Sequence, residues 1–393
     1  MSGLRLALVA RRFWPLTGET ERTTANLAAE LLQRGHRPII VTPKYGKNWP
    51  PEICVREVPV VRLPHPAPRS WGNVRYLYSL TRWLQQRNSE LDAVLICGPE
   101  EDAVSALGAL RGTNVPLAVR AGCEADTLGH GPAGGVFGER LKRRSRQCDA
   151  YIASTAALAE RLQLAGYPVD RIHEIASGVT VPPPRSPAAR DAARLALIDV
   201  NHDLASATDA PIALCLTPLV PKAHVETLVQ AWRSVQARWP DARLWVVGDG
   251  PSRDSIFGLL SDYSLKYRVV LPGTFDDWHE LLQAADLLIQ PADEGAEGQA
   301  VLEAMAAGLP VIACGSSQQI QLLKHEQNGL LCAPADVRQL AAAITRLIEQ
   351  PRLAVSLGTR ARRTIGEHHS LEQMVERHVE LFQSLVQTKA TGK

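Results

Sequence analysis

Short, wholly apolar runs alternate with stretches of helical periodicity along this chain, and the alternation starts twice, on either side of Val181-Pro-Pro-Pro-Arg-Ser-Pro187. Three successive prolines can continue neither a helix nor a central strand, so a domain boundary belongs there. The reading is an N-terminal domain over 1–182, a linker over 183–210 and a C-terminal domain over 211–370. In the first half, Leu4 to Val9, Pro38 to Thr42, Ala93 to Cys97, Leu117 to Val119 and Ala150 to Ala153 read as buried strands. Helices are predicted over Thr23 to Arg34, Glu101 to Leu110, Phe137 to Gln147 and Ala156 to Ala165. The second half repeats the grammar with strands over Ile212 to Leu216, Ala242 to Val247, Val269 to Leu271, Leu287 to Gln290 and Val311 to Cys314. Its helices are predicted over His224 to Arg238, Ser252 to Leu260, Asp277 to Ala284, Ala300 to Ala307 and Val337 to Glu349. Such alternation predicts an α/β fold of two doubly wound, mostly parallel Rossmann-like sheets, which bind ligands at the carboxyl ends of their strands. A cleft between the two domains is the expected active site.

No stretch reaches the roughly 18 uninterrupted apolar residues of a membrane span, because the best candidate, over 299–314, is broken by Glu303 and Pro310. The start of the sequence lacks the features of a signal peptide, and the seven scattered cysteines suggest neither a disulfide framework nor a zinc site. A reduced, cytoplasmic protein is expected. Residues 1–183 carry 23 Lys and Arg against 17 Asp and Glu, whereas 184–393 carry 20 against 24, so the two halves are expected to face different partners. The basic helix Glu139-Arg-Leu-Lys-Arg-Arg-Ser-Arg146 either is a solvated face or holds the first domain against anionic lipid at the inner face of a membrane. Nucleic acid is not expected as a partner, since no binding module accompanies these charges. His36, His368 and His369 show no metal-ligand spacing with carboxylates, and no metal is expected.

The stretch Asp293-Glu-Gly-Ala-Glu-Gly-Gln-Ala-Val-Leu-Glu-Ala-Met-Ala-Ala-Gly-Leu-Pro-Val-Ile-Ala313 resembles the donor-binding signature of the retaining, nucleotide-sugar-dependent glycosyltransferases of family four, the group 1 glycosyl transferases. The resemblance extends, in order, to Thr17-Gly18-Glu19-Thr20-Glu21, Arg171-Ile-His-Glu-Ile-Ala-Ser-Gly-Val179, Trp245-Val-Val-Gly-Asp-Gly-Pro251 and Asn328-Gly-Leu-Leu-Cys-Ala-Pro-Ala-Asp336. It implies a GT-B fold whose C-terminal helix, over 371–388 after a break at Gly366, crosses back to the first domain. That helix puts Leu371, Met374, Val375, His378, Leu381, Phe382 and Leu385 on one face.

Physical chemistry supports the same loop. Gly298, Gln299 and Ala300 open a helix whose N–H groups and positive end suit a diphosphate. Glu303, one turn in, could accept paired hydroxyl hydrogen bonds, and the resemblance assigns the matching Glu to the nucleotide's ribose. Gly248 and Gly250, in a turn after a strand, resemble the family's turn beside the donor, where glycine lets backbone approach a ligand or merely serves a βα turn. Gly18 resembles the loop bordering phosphate and acceptor, although Glu19 stands where a second glycine is usual.

Three departures touch the chemistry. Pro218 replaces the family's diphosphate-binding Arg in Leu216-Thr-Pro-Leu-Val-Pro-Lys222-Ala-His224, leaving Lys222 as the matching cation, with Arg253, His224, Arg11, Arg12 and Arg120 as substitutes. The family's sugar-holding Glu falls on Gly295, so Glu294 or Glu297 is expected to serve. The strand ending at Arg120 lacks the His of many relatives, leaving Arg120, Glu124 and Asp126. The resemblance implies metal-independent transfer, with retention, of a sugar from a nucleoside diphosphate donor to a glycan or lipid-linked acceptor. The same scaffold could instead serve a non-catalytic sugar-nucleotide-binding protein or an epimerase.

Overall fold

The computed structural model describes residues 3–16, 18–65, 69–121, 136–207, 209–292, 298–315 and 322–391. The chain divides into two units: residues through Gly178 with those from Leu371 onward, and Val179–Ser370.

The first unit runs β1 (Arg5–Val9), α1 (Glu19–Gln33), β2 (Arg37–Lys44), β3 (Glu52–Val55), β4 (Val58–Pro64), α2 (Arg69–Arg87), β5 (Ala93–Ile96), α3 (Glu100–Ala109), β6 (Leu117–Arg120), α4 (Val136–Ser145), β7 (Ala150–Ala153), α5 (Ala156–Leu164) and β8 (Ile172–Glu174). Its sheet has the order β3-β4-β2-β1-β5-β6-β7-β8, parallel except where β3 meets β4. β5 and β7 are buried at every position, as expected of parallel strands covered on both faces. The β3–β4 hairpin is new relative to the sequence reading. Its two-residue turn holds Arg56 and Glu57 at φ of 49° and 66°, a conformation usually marked by Asn-Gly, so no turn signal announced it.

The second unit runs α6 (Pro187–Val200), β9 (Ile212–Leu216), α7 (Val225–Arg238), β10 (Arg243–Val247), α8 (Arg253–Asp262), β11 (Val269–Val270), α9 (His279–Ala284), β12 (Leu287–Gln290), α10 (Gln299–Ala306), β13 (Val311–Cys314), β14 (Leu330–Cys332), α11 (Val337–Glu349) and α12 (Pro351–His368). Its sheet order is β11-β10-β9-β12-β13-β14, parallel throughout. The stretch 183–210, expected to be a linker, instead belongs to this unit. Ser186 caps α6 by accepting from the Ala189 amide at 3.1 Å, and Pro187 takes the first helical position, where its missing N–H is harmless. Arg194, buried on α6, donates to the Ala284 carbonyl at 3.0 Å and to Asp286 at 2.9 Å, and Asp286 in turn accepts from the Ile212 amide at 2.8 Å. These bonds fasten α6 to α9 and to the start of β9. The break expected at Gly366 falls later, at His369-Ser370, because buried Ile365 keeps α12 packed and a single helical glycine costs only about 1 kcal/mol relative to alanine.

The last helix, α13 (Leu371–Thr391), returns to the first unit. Met374, Val375 and Phe382 join one core cluster with Leu6, Leu8, Leu27 and Leu31. His378 is fully buried among them; its Nδ1 lies 2.7 Å from the Met374 carbonyl, while Nε2 has no hydrogen-bond partner among the described residues. Burial and the nearby Arg120 charge push its pKa down to about 3. The unfolded chain therefore takes up a proton near pH 6.5 that the folded one refuses. Folded-state stability from this residue is complete above 6.5 and declines by about 1.4 kcal/mol per pH unit as pH falls towards 3. The stability difference between wild type and His378→Leu, measured by urea unfolding across that range, is expected to carry this slope. A pH-independent difference would refute it.

Candidate functional site

In the second unit the chain builds outward from β9 through β10 to β11, then returns to the other side of β9 with β12. Between β9 and β12 lies the topological switch point, where open α/β sheets leave a crevice at the strands' carboxyl ends. The pairing of the two strands ends at Leu288↔Leu214, so each strand runs on two residues beyond their shared ladder. Gln290 ends β12 there. It is buried, and its Oε1 has no partner among the described residues. The sequence reading passed over it as the end of an apolar strand, although a glutamine closing Leu-Leu-Ile-Gln was a visible signal.

Just beyond, Gly298 caps α10, and its carbonyl accepts from the amides of Val301 at 2.9 Å and Leu302 at 3.2 Å. Seven of the eight α10 residues are buried, Gln299 and Ala300 included, and only Glu303 remains half-buried. The Gln299 side-chain amide donates to Glu303 Oε1 at 3.1 Å, which orients the carboxylate near the helix start. Glu294 and Glu297 lie outside the described residues, as do Glu124 and Asp126.

On the other side of the switch point, Lys222 sits exposed on a short 3-10 turn, Pro221–Ala223, and His224, left-handed at φ 51°, caps α7. Pro218 is exposed at the end of β9. One strand further, Gly248 and Gly250 take φ of 153° and 156°. A Cβ on Gly248 would lie 1.9 Å from the Thr217 carbonyl oxygen, and one on Gly250 would lie 2.4 Å from that of Leu219. Both glycines are thus demanded by the neighbouring βα loop, which the Leu219 amide ties down by donating to the Asp249 carbonyl at 3.0 Å. Lys222, Gly248, Gly250, Gly298, Gln299, Ala300 and Glu303 therefore gather at one end of three adjacent strands, β10, β9 and β12.

Among the substitute cations, Arg253 donates to the Leu271 carbonyl at 2.9 Å and lies 3.9 Å from Asp249. The first unit holds the others. Gly18 caps α1, and a Cβ there would meet the Glu21 carboxylate at 2.3 Å; Glu21 also faces Arg12 at 3.5 Å. A carboxylate already occupies that helix start. Arg120 donates to Ser177 Oγ at 2.9 Å. Arg11 grips Asp102 through Nε and Nη2, at 3.2 and 2.5 Å, and reaches Glu101 at 3.2 Å and Asn73 at 3.1 Å. Burial raises the Asp102 carboxyl to about 6, with Arg11 working against that rise.

Two units of this topology, with the last helix returning to the first, define a GT-B glycosyltransferase fold. Residues 200–364 match the family model described as glycosyl transferases group 1, and residues 20–181 match that described as glycosyltransferase family 4. The chain belongs to the group 1 glycosyl transferases. It is 26% identical over 239 residues to the lipopolysaccharide core biosynthesis glycosyltransferase LpsE of Rhizobium meliloti (strain 1021), covering 61% of this chain and 65% of LpsE, just under two thirds of that relative's length. Sucrose-phosphate synthase from Thermosynechococcus elongatus superposes with a TM-score of 0.77 at 20% identity, over 97% of this chain and 99% of that one. Anabaena HepE, solved in complex with UDP and glucose, gives 0.73 at 18% identity, over 97% of this chain and all of HepE. No described helix is long and apolar enough to cross a membrane.

Proposed function

We propose that the chain is a retaining glycosyltransferase, independent of metal, that takes a sugar from a nucleoside diphosphate donor bound by the second unit and passes it to a glycan or lipid-linked acceptor bound by the first. The observation that carries this reading is Glu303: the one half-buried residue of a buried helix, its carboxylate set by Gln299 at the switch point. In this reading Glu303 accepts the ribose hydroxyls. The start of α10 and the Lys222 ammonium bear on the diphosphate, stabilising the charge that develops as the glycosidic bond breaks. Glu294 or Glu297 holds the sugar. With retention, the departing phosphate itself takes the acceptor hydroxyl's proton, so no side-chain nucleophile is needed. Exposed Arg140, Arg143 and Arg144 on α4 support contact of the first unit with anionic lipid headgroups.

Titration calorimetry with UDP and GDP tests the assignment. Losing hydrogen bonds to a charged group is worth about 2–3 kcal/mol, so Glu303→Ala is expected to weaken nucleotide binding roughly 30- to 150-fold while leaving urea unfolding unchanged. Equal affinity in wild type and variant removes the residue from the site. A non-catalytic nucleotide-sugar-binding protein is the second reading, favoured by exposed Pro218 where the family places a cation. Slow release of UDP or GDP from the matching sugar nucleotides marks an enzyme; binding without release marks the alternative.

A further inference from the structure

Four adjacent parallel strands of the first unit, in the order β4-β2-β1-β5, bring a polar and aromatic cluster to their carboxyl ends. His65 follows β4, Tyr45 follows β2, Arg11 lies just beyond β1, and Asp102 opens α3 after β5. β1 and β5 flank the switch point of this sheet, so the cluster stands where such sheets bind ligands. It lies wholly within the first unit, whereas the strand ends that carry the donor signature belong to the second.

The chemistry of the cluster restricts what it can hold. Tyr45 is 39% exposed, its ring centroid is 4.7 Å from that of His65, and its hydroxyl is pinned by donating to the Arg11 carbonyl at 2.9 Å. An aromatic wall held this rigidly suits the apolar C–H face of a flat ligand. Its polar rim is equally fixed. Arg11 Nη1 donates to Asn73 at 3.1 Å, so the Asn73 atom facing it is the carbonyl oxygen. His65 Nε2 lies 3.1 Å from that same oxygen and must donate to it, which in the neutral ring leaves Nδ1 as a bare acceptor. The Arg11 guanidinium is itself consumed by Asp102, Glu101 and Asn73, so the cluster offers an anion no uncommitted charge. An apolar wall, a directed acceptor and a neutralised cation together suit a neutral polyol ring.

We propose that the first unit carries a pyranose-ring subsite, with Tyr45 as its stacking wall and His65 Nδ1 accepting a ring hydroxyl. Within the transferase reading, on which this step rests, the ring is the sugar of the acceptor; the subsite itself is defined by the first unit alone.

Saturation-transfer NMR tests it, using the methyl α-glycosides of glucose, mannose and galactose as probes, with UDP or GDP in the same samples. Wild type is expected to transfer magnetisation to the ring protons of at least one glycoside. Loss of the wall in Tyr45→Ala, or of the acceptor nitrogen in His65→Phe, is expected to weaken glycoside binding about tenfold, while Tyr45→Phe keeps the ring and most of the signal. Nucleotide signals are expected to be unchanged in all three variants. A wild-type protein that binds nucleotide but none of the glycosides overturns the subsite, as does undiminished glycoside binding in both Tyr45→Ala and His65→Phe. Glycoside binding without either nucleotide leaves the subsite standing and removes the donor reading instead.

Discussion

Asp102→Ala is expected to destabilise the first unit by about 3–5 kcal/mol, the usual consequence of removing one member of a buried ion pair. The Asp102 side chain is fully buried and that of Arg11 is 16% exposed, so the guanidinium left behind keeps its desolvation without its main acceptor. Most of that loss lies in the orphaned charge, so a second substitution, Arg11→Met, is expected to restore much of the stability. Asp102→Asn retains an acceptor oxygen and is expected to be milder. Its comparison with wild type also has a pH signature. Because the folded carboxyl titrates at about 6 against 3.8 in its ordinary state, the folded chain holds this proton more tightly than the unfolded one. Stability from the protonated carboxyl is full below 3.8 and is lost as pH rises to 6, so the advantage of wild type over Asp102→Asn shrinks across that window and is constant above it. Urea unfolding of the single and double variants checks both statements. Additive losses from Asp102→Ala and Arg11→Met would contradict the pairing.

Gly248→Ala is expected to be comparably severe in the second unit. The added methyl would stand 1.9 Å from a backbone oxygen, at a φ of 153° that L side chains rarely adopt. Relief requires moving either the Thr217–Leu219 backbone or β10. Both are held by hydrogen bonds, from Thr217 to the Val247 carbonyl at 3.0 Å and from Gly248 to the Gly273 carbonyl at 2.8 Å. Strain and overpacking together are expected to cost about 3–5 kcal/mol. Since the displaced loop also bears Lys222, nucleotide affinity is expected to fall with stability. Gly258→Ala, inside α8 with open space around its Cβ position, is the control and is expected to stabilise by about 0.5–1 kcal/mol. Equal midpoints for Gly248→Ala and wild type in thermal unfolding would show that the two loops do not touch as described.

Much of this architecture was legible because parallel sheets write themselves locally. Buried strands such as Ile212–Leu216 are apolar at every position, and Glu303 stands out within Gln299–Ala306 as the one charge on an apolar helix. Local signals fail where they point two ways. Prolines 182–184 fall just past the division between Gly178 and Val179, inside the second unit, and they hide α6, whose first turn uses the next proline as a helix start. The Arg56-Glu57 turn adopts glycine's conformation without glycine, so its hairpin left no trace. The cluster around Arg11 was out of reach for another reason. Its members are spread over some ninety residues, from Arg11 to Asp102, with no spacing to relate them, and only sheet order makes them neighbours. For Gly248 and Gly250 the pattern was plain, but sequence could not tell that the surface they approach is another stretch of the same chain.

The first unit is made from two pieces of polypeptide separated by the whole of the second. During synthesis, the strands around Leu6 and Leu8 emerge long before Met374, Val375 and Phe382, the residues that share their core. The early half must wait, with that oily flank uncovered, until the ribosome has finished everything in between. For this protein the interval of greatest exposure to aggregation is therefore set by the length of an inserted neighbour and not by any property of the waiting half itself.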